Sequence, residues 1–334
     1  MRLASYSGLK LALACAAIVS LQSGQAWSAP PVKQPPCGPN NEFSVADLSD
    51  RTDQLVEQNN RPGLRALQDY GIKTIFRYYD FSNESKRCKT LQPKETDALL
   101  AAGFRIGVVF QHESPDPKTF ITDAEMGKKH ALRSLALAAA NGQPKDSAIY
   151  FGVDGADLHL RDAAALYKRR NGADLTPEEA AAMEPRRVKW YRNFRAYRNV
   201  YFRPDEQITA ASLYPFIKTY FENIAAVFKD HARQNPEQSY KIGIYCTAAV
   251  CDFALDKKLA EFFWVTAEGR NESSYADFVD KNRWNMLQQR ETKCPGWKTK
   301  TGLDFNRTTQ KPIGDWNTIG QRTPIAPPVT CNID

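Results

Sequence analysis

The chain has 334 residues, of which 42% are hydrophobic and 25% are charged, and this composition excludes an intrinsically disordered protein. Its 45 basic and 38 acidic residues give a formal net charge of +7, which suits association with an anionic polymer. No nucleic-acid-binding motif is present, so we expect no nucleic-acid partner.

The first 26 residues have the parts of a secretory signal peptide. Arg2 and Lys10 provide positive charge, an apolar core runs from Leu11 to Leu21, and small residues stand at positions 24 and 26. We expect cleavage after position 26 and therefore a secreted or periplasmic protein. No later stretch approaches about 18 consecutive apolar residues, so we expect no transmembrane segment.

Six cysteines remain after removal of the signal peptide, and an even number in an exported chain predicts up to three disulfides. They are Cys37, Cys88, Cys246, Cys251, Cys294 and Cys331. Cys246 and Cys251 are close enough in sequence to pair at a strand-to-helix corner, while Cys37 with Cys331 would tie the two ends of the domain together. The chain has no Cys-x-x-Cys pair and its four His residues are scattered, so we expect no metal site.

Hydrophobic patterning predicts an alternation of strands and helices after a proline-rich leader at residues 27–42. Strands are predicted at 43–48, 72–80, 104–111, 148–153, 241–245, 262–266, 284–288 and 303–306, and helices at 61–70, 93–102, 123–141 and 209–234. For the helix at 123–141, Thr122 or Asp123 is the predicted cap and Gly142 the predicted stop.

The fourth strand is the most informative of these elements. Its continuous apolar run from Ala148 to Val153 is typical of a strand buried on both faces, as in a parallel sheet. Asp154 and Asp157 follow where the run ends. Because ligands and catalytic groups gather at the carboxyl ends of parallel strands, we expect a functional site at this edge.

Eight strands, seven of them separated by helical or irregular segments, predict an α/β fold of the (β/α)8 TIM-barrel type over residues 43–310. A doubly wound open sheet is the competing arrangement, but no glycine-rich phosphate loop follows the first strand. Residues 158–207 form a basic insertion after the fourth strand, and residues 311–334 form a C-terminal tail. The insertion is either a solvated helical excursion on the barrel rim or a groove wall whose Arg and aromatic side chains contact a ligand.

Seven segments carry a family resemblance through their order and spacing. They are Ile75–Tyr79, Asp123–Gly127, Gly142–Asp154, Lys241–Tyr245, Phe263–Val265, Trp284 with Gln288, and Gly302–Asn306. Together they resemble the glycoside-hydrolase-like family catalogued as domain of unknown function 1906, a distant relative of the family 25 glycoside hydrolases, which are lysozyme-type muramidases. The resemblance implies an exported α/β barrel with a carboxylate-lined pocket that acts at or beyond the cell envelope.

The chain departs from the muramidase pattern at the end of the fourth strand. Family 25 muramidases carry Asp-x-Glu there, with the Glu as the acid. In this chain Asp154 is followed by Gly155 and Ala156, and the next carboxylate, Asp157, comes one residue late. This departure is the feature that favours a glycan-binding protein as the alternative to an enzyme.

Glycoside cleavage requires a proton donor and a second carboxylate that attacks the sugar or activates water. We expect Asp154 to be the acid because burial raises a carboxyl pKa, the alternative being a cap residue or an ion pair with Arg77. Candidates for the second carboxylate are Asp304, Asp47, Asp157 and Glu113. Asp47 and Asp304 end the first and last predicted strands, so we expect them to be neighbours across the barrel closure, where either is alternatively a turn or cap residue.

Other polar and aromatic side chains near predicted strand ends are candidates for substrate binding. They are Arg77, Tyr79, Gln111, Tyr245, Glu268, Trp284, Gln288 and Asn306. Flat aromatic faces bury the apolar side of a sugar ring, and Arg77 and Gln288 have the donors to orient its substituents. The alternative for the aromatic residues is a place in the hydrophobic core.

The sequence therefore predicts a secreted protein that hydrolyses glycosidic bonds in a cell-wall polysaccharide of the peptidoglycan type. Paired carboxylates would carry the reaction without a metal or an organic cofactor. The alternative is a non-catalytic glycan-binding protein of the cell envelope on a degenerate barrel. The absence of a Gly-x-Ser-x-Gly elbow argues against a serine hydrolase.

Overall fold

The computed structural model describes residues 43–49, 52, 63–81, 89–112, 115–289 and 304–324. The predicted signal peptide and proline-rich leader lie outside the described residues, as do Cys37, Cys88, Cys294 and Cys331. Expectations about these parts of the chain stay predictions.

Eight strands form one closed barrel in chain order, which confirms the predicted (β/α)8 architecture. The strands are β1 (Val45–Asp47), β2 (Thr74–Tyr79), β3 (Arg105–Phe110), β4 (Ala148–Asp154), β5 (Lys241–Cys246), β6 (Phe262–Val265), β7 (Met286–Gln288) and β8 (Asp304–Thr308). The helices are α1 (Gly63–Asp69), α2 (Pro93–Ala101), α3 (Lys118–Ile121), α4 (Met126–Asn141), α5 (Ala156–Arg169), α6 (Pro177–Ala182), α7 (Pro185–Tyr201), α8 (Tyr214–Gln234), α9 (Ala248–Asp256) and α10 (Ser273–Asp280). Short 3₁₀ turns occupy Ala210–Leu213 and Pro236–Gln238.

The direction of β8 differs from an all-parallel barrel. Strands β1 to β7 pair in parallel, whereas β8 pairs antiparallel with both β7 and β1. Asp304 therefore begins β8 instead of ending it, and the reversal still brings it to the rim, directly opposite Asp47. The expected neighbourhood of Asp47 and Asp304 is confirmed. The alternation of strand and helix signals gives the number of strands but not their direction.

The inside of the barrel is packed with aromatic side chains. Phe76 of β2, Tyr150 of β4 and Trp264 of β6 meet there, with ring centroids 5.1 Å apart for Phe76 and Trp264 and 5.4 Å apart for Phe76 and Tyr150. Gly243 leaves room for Tyr150, because a Cβ at that position would overlap the tyrosine ring. The barrel is thus filled in the middle, and a ligand site has room only at its mouth.

Two predicted helix starts are wrong. Helix α4 begins at Met126, and neither Thr122 nor Asp123 caps it: the Asp123 carboxylate accepts the backbone N–H of Glu125 and so closes a turn before the helix. Gly142 ends α4 with φ of 64°, as predicted. The helix predicted from residue 209 opens with a 3₁₀ turn, and α8 proper starts at Tyr214, next to Pro215, a residue that favours the first turn.

The insertion between β4 and β5 folds into the helices α5, α6 and α7. Phe194 and Tyr197 of α7 are buried in the main core, and Tyr191 is fully buried in a smaller cluster with Leu175 and Val188. The insertion is therefore packed onto the barrel through a buried aromatic face. Most of its basic residues lie at the surface, but Arg198 is buried and donates to the backbone oxygens of Arg203, Pro204 and Glu206.

The disulfide expected between Cys246 and Cys251 is present, with the two Cα atoms 5.7 Å apart. It joins the last residue of β5 to the first turn of α9. Within the described ranges, no helix is both long and apolar enough to cross a bilayer.

Candidate active site

An open cleft of about 660 Å³ lies at the carboxyl-end mouth of the barrel. Three carboxylates from different strands face it: Asp154 ends β4, Glu268 follows β6, and Asp304 begins β8. Gln111, Tyr245 and Gln288, which we expected to bind substrate, also line this cleft, together with Tyr78 and Thr266. The barrel thus brings together side chains that are more than 200 residues apart in sequence.

Asp154 has an unusual backbone conformation. Its φ is 49°, in the left-handed region that non-glycine residues seldom adopt, and the pairing of β4 with β5 shifts register between Gly152 and Asp154. Its carboxylate is hydrogen-bonded by Thr266 Oγ1 at 3.1 Å and by Gln111 Nε2 at 3.4 Å. Left-handed backbone held in place by surrounding structure recurs at functional sites.

Burial and, after it, the negative charge of Glu268 raise the pKa of Asp154 from 3.8 to about 7. The hydrogen bond from Thr266 opposes this rise. Asp154 therefore holds its proton near neutral pH, which is the state that a general acid requires.

Glu268 approaches Asp154 over the glycine that follows it. A Cβ at position 155 would collide with Glu268 Oε2, so only glycine leaves room for this carboxylate beside the start of α5. Glu268 Oε2 lies 3.2 Å from His159 Nε2, and the His159 ring stacks on Trp190 of α7 with centroids 3.7 Å apart. The insertion thus contacts Glu268 through His159, whose ring is held in place by stacking on Trp190.

Asp47 lies beneath the cleft in a hydrogen-bond network. Asn306 Nδ2 donates to Asp47 Oδ1 at 2.7 Å, Tyr78 OH donates to Oδ2 at 3.3 Å, and Gln288 Nε2 is 3.4 Å from Oδ2. Burial raises the pKa of Asp47 to about 6, while the bonds from Asn306, Gln288 and Tyr78 lower it. Gln288 Oε1 in turn accepts the Tyr245 hydroxyl at 2.7 Å, which links Asp47 to the lining of the cleft.

Arg77 is placed away from the cleft. Its side chain is fully buried, and its Nε donates to Glu95 Oε1 at 2.7 Å. Its other donors bond to the backbone oxygens of Leu48 and Lys89. The alternative that Arg77 pairs with Asp154 is therefore wrong, because the ion-pair partner of Arg77 is Glu95.

Four further candidates also lie outside the lining of the cleft. Tyr79 donates to Gln143 Oε1 behind the sheet, and the Trp284 indole N–H donates to the backbone oxygen of Val279. Asn306 is fully buried beside Asp47. Asp157 lies in the first turn of α5, where its carboxylate accepts from Thr247 Oγ1. Strand alternation accounts for Tyr79, because the residues of β2 that face the barrel interior are Phe76 and Tyr78. Glu113 lies outside the described residues.

Tyr78, Thr266 and His159 line the cleft, although the sequence analysis does not predict them. Tyr78 and Thr266 had a signal, because each lies two positions after an interior aromatic residue, Phe76 or Trp264, on the same face of its strand. Burial and the nearby carboxylates Asp47, Asp304 and Asp154 raise the pKa of Tyr78, so its hydroxyl stays protonated. His159 had no such signal, since its place depends on Trp190, 31 residues later in the chain.

Among the described residues, no group of three or more His, Cys, Asp and Glu side chains is arranged to hold a metal ion. Carboxylates, amides and hydroxyls line the cleft, together with the His159 imidazole and the guanidinium groups of Arg161 and Arg270. A protonated carboxyl beside an exposed carboxylate is the arrangement used for proton transfer and nucleophilic or base assistance.

Comparison with protein families matches residues 65–167 to the model described as Rv2525c-like, glycoside hydrolase-like domain. These residues include β2, β3 and β4 with Asp154. No match to the chain is found among curated proteins.

The solved structures that match the chain share little sequence with it. The Mycobacterium tuberculosis Tat-secreted protein Rv2525c, in complex with HEPES, is 17% identical over 82% of this chain and 98% of that chain, with a TM-score of 0.46. A B. stearothermophilus protein is 13% identical over 80% of this chain and 95% of that chain, with a TM-score of 0.40. The modular autolysin LytC from Streptococcus pneumoniae, in complex with synthetic peptidoglycan ligand, is 10% identical over 79% of this chain and 46% of that chain, with a TM-score of 0.36.

The resemblance to a glycoside-hydrolase-like family that the sequence predicted is thus confirmed: over residues 65–167 the chain is similar to the Rv2525c-like, glycoside hydrolase-like domain.

Proposed function

We propose that this protein is a secreted glycoside hydrolase that cleaves glycosidic bonds in a cell-wall polysaccharide of the peptidoglycan type. The observation that carries the proposal is Asp154, a carboxyl group with its pKa raised to about 7 that lies in an open cleft beside a second carboxylate. The similarity of residues 65–167 to a glycoside hydrolase-like domain supports the reaction class.

Asp154 is the proton donor in this proposal. Departure of a sugar needs protonation of the glycosidic oxygen, and a carboxyl that is still protonated near neutral pH supplies that proton. Thr266 and Gln111 hold the Asp154 carboxyl in one orientation. Its left-handed backbone fixes the direction in which the side chain leaves β4.

Glu268 is the second carboxylate, in place of the Asp304, Asp47, Asp157 and Glu113 candidates considered from the sequence. Both carboxyl groups line the same cleft, and the negative charge of Glu268 contributes to the raised pKa of Asp154. The Glu268 side chain is 44% exposed and so accessible to a water molecule or a sugar. The Glu that muramidases carry two positions after the Asp is replaced here by buried Ala156, and Gly155 opens the space through which Glu268 reaches the same end of the barrel.

The remaining lining suits a carbohydrate. Tyr78 and Tyr245 offer ring faces and hydroxyls, and Gln111 and Gln288 offer both donors and acceptors. The volume of the cleft is within the range of about 300–1,000 Å³ that is common for ligand sites. The formal net charge of +7 includes Arg2 and Lys10 of the predicted signal peptide, and the excess of basic residues that remains without them favours attraction to an anionic wall polymer.

The test is release of reducing ends from purified peptidoglycan and from chitin oligosaccharides by the mature protein. We expect turnover by the wild-type protein and a loss of about 10²-fold or more in both Asp154→Asn and Glu268→Gln. The control is Asp256→Asn, which removes an exposed carboxylate at the end of α9 that does not line the cleft.

Two outcomes would count against this assignment. Full activity of Asp154→Asn would exclude Asp154 as the acid. Retained binding to insoluble peptidoglycan without turnover on any of these substrates would favour the glycan-binding alternative, for which Ala156 is the supporting feature.

A further inference from the structure

A second cavity of about 360 Å³ opens from the cleft toward the insertion. Asp154, His159, Asp162 and Glu268 line both spaces, so the two are continuous at the proposed catalytic carboxylates. Beyond them, the second cavity lies between α5 and α7. We call it the insertion arm and define it by Leu166, Met183, Arg186, Arg187, Trp190 and Tyr191.

The acidic groups of the insertion arm are already matched by partners. Asp162 Oδ1 lies 3.4 Å from Arg161 Nε, Glu184 Oε1 lies 3.8 Å from Arg186 Nε, and Glu268 lies beside His159. Asp154 is held toward its protonated form by burial.

The two arginines of the arm differ, because Arg186 lies near Glu184. Arg187 has no carboxylate at ion-pair distance among the described residues, although it lines the cavity. Arg186 also lines the cavity, and its side chain is 75% exposed. A ligand in this arm therefore meets guanidinium groups with donors to spare, which match a carboxylate well.

The other walls of the arm are apolar. Leu166 and Met183 provide aliphatic surface, and Trp190 and Tyr191 provide aromatic surface. A cavity with apolar walls and guanidinium groups at one side suits a ligand group that carries both apolar and carboxylate parts.

We propose that the insertion arm binds a carboxylate-bearing substituent of the glycan, so that the protein selects acidic over neutral polysaccharides. This inference rests on the proposed function, since it takes a glycan to occupy the adjoining cleft. Arg187 is the specificity-determining residue, and Arg186 contributes to the same positive field. The insertion, which adds the arm to the barrel, is then the part of the chain that sets substrate choice.

The test measures binding by isothermal titration calorimetry in the Asp154→Asn background, where cleavage does not interfere. The probes are soluble peptidoglycan fragments with free carboxylates and the same fragments after carboxyl amidation. We expect the free carboxylates to bind about threefold to tenfold more tightly at low salt, and this preference to shrink at 1 M salt. Arg187→Gln should abolish the preference without changing the affinity for amidated fragments.

The matched control is Arg192→Gln, which removes an exposed arginine of α7 outside the insertion arm and should keep the preference. Equal affinity for the two fragment forms would overturn the inference and leave the proposed function standing. An equal loss of preference in Arg192→Gln would overturn it as well, since the effect would then be one of net charge. No binding of either form would count against the proposed function and the inference together.

Discussion

Replacing Asp154 by Asn should make the folded protein more stable at alkaline pH. A pKa raised from 3.8 to about 7 means that the folded state resists loss of this proton, at a cost of about 4 kcal/mol of folding free energy once the proton is gone. Asp154 lies at the mouth of an open cleft, where water relieves part of this cost, so we expect about 2 kcal/mol.

The sign follows from the protons bound in each state. Below pH about 4, Asp154 is protonated in the folded and the unfolded chain alike, and the stability it contributes is fully present. Between pH 4 and 7 only the unfolded chain releases the proton, so the free energy of unfolding of the wild-type protein falls as the pH rises through the folded-state pKa. Asn does not titrate, so the free energy of unfolding of the variant should rise relative to that of the wild type over this pH range.

The assay is urea denaturation of wild type and Asp154→Asn at pH 4.5, 6 and 8. Asp47 and Asp157, whose pKa values burial also raises to about 6, titrate in both proteins, so their effects cancel in the difference. Asp162→Asn serves as the control, because this carboxylate lies on the same cleft but is 49% exposed. A difference between wild type and Asp154→Asn that stays constant from pH 4.5 to 8 would refute the raised pKa and with it the role of Asp154 as acid.

Three further predictions concern neighbouring parts of the molecule. Glu95→Gln leaves the buried Arg77 charge without its partner and should lower the free energy of unfolding by about 3 kcal/mol, measured by urea denaturation, without changing the pH optimum of activity. Gly155→Ala should displace Glu268 and lower kcat by about tenfold at nearly unchanged Tm, because the new Cβ overlaps the carboxylate. Cys251→Ser opens a short disulfide loop and should cost about 2 kcal/mol by thermal denaturation.

Each of these has an outcome that contradicts it. A shifted pH–rate profile in Glu95→Gln would mean that Arg77 acts on the cleft after all. Unchanged kcat in Gly155→Ala would show that Glu268 is not the second carboxylate. If Cys251→Ser, the reduced wild type and the oxidised wild type all have the same Tm, the disulfide adds no stability.

The sequence was sufficient for the elements of the barrel. Apolar runs, the helix stop at Gly142 and the carboxylates at strand ends are local signals, and they predict the strand count and Asp154. The short Cys246–Cys251 spacing likewise pointed to a pair that the structure contains. These inferences succeeded because each depends on residues within one element.

The tertiary structure decided which side chains of a strand face the barrel interior and in which direction β8 runs. The sequence of β2 is apolar on both faces, so it does not distinguish Tyr78 from Arg77 and Tyr79, and only the closed barrel fixes which residues point inward. Asp304 reached the rim because β8 runs antiparallel, a fact with no local signal.

The raised pKa of Asp154 and the approach of Glu268 over Gly155 depend on side chains that meet only when the barrel closes. The sequence by itself thus determined which elements form and which carboxylate to suspect, because those are written in short-range patterns. The tertiary structure decided which groups share the cleft and what charge they carry, because burial and contact between distant strands set both.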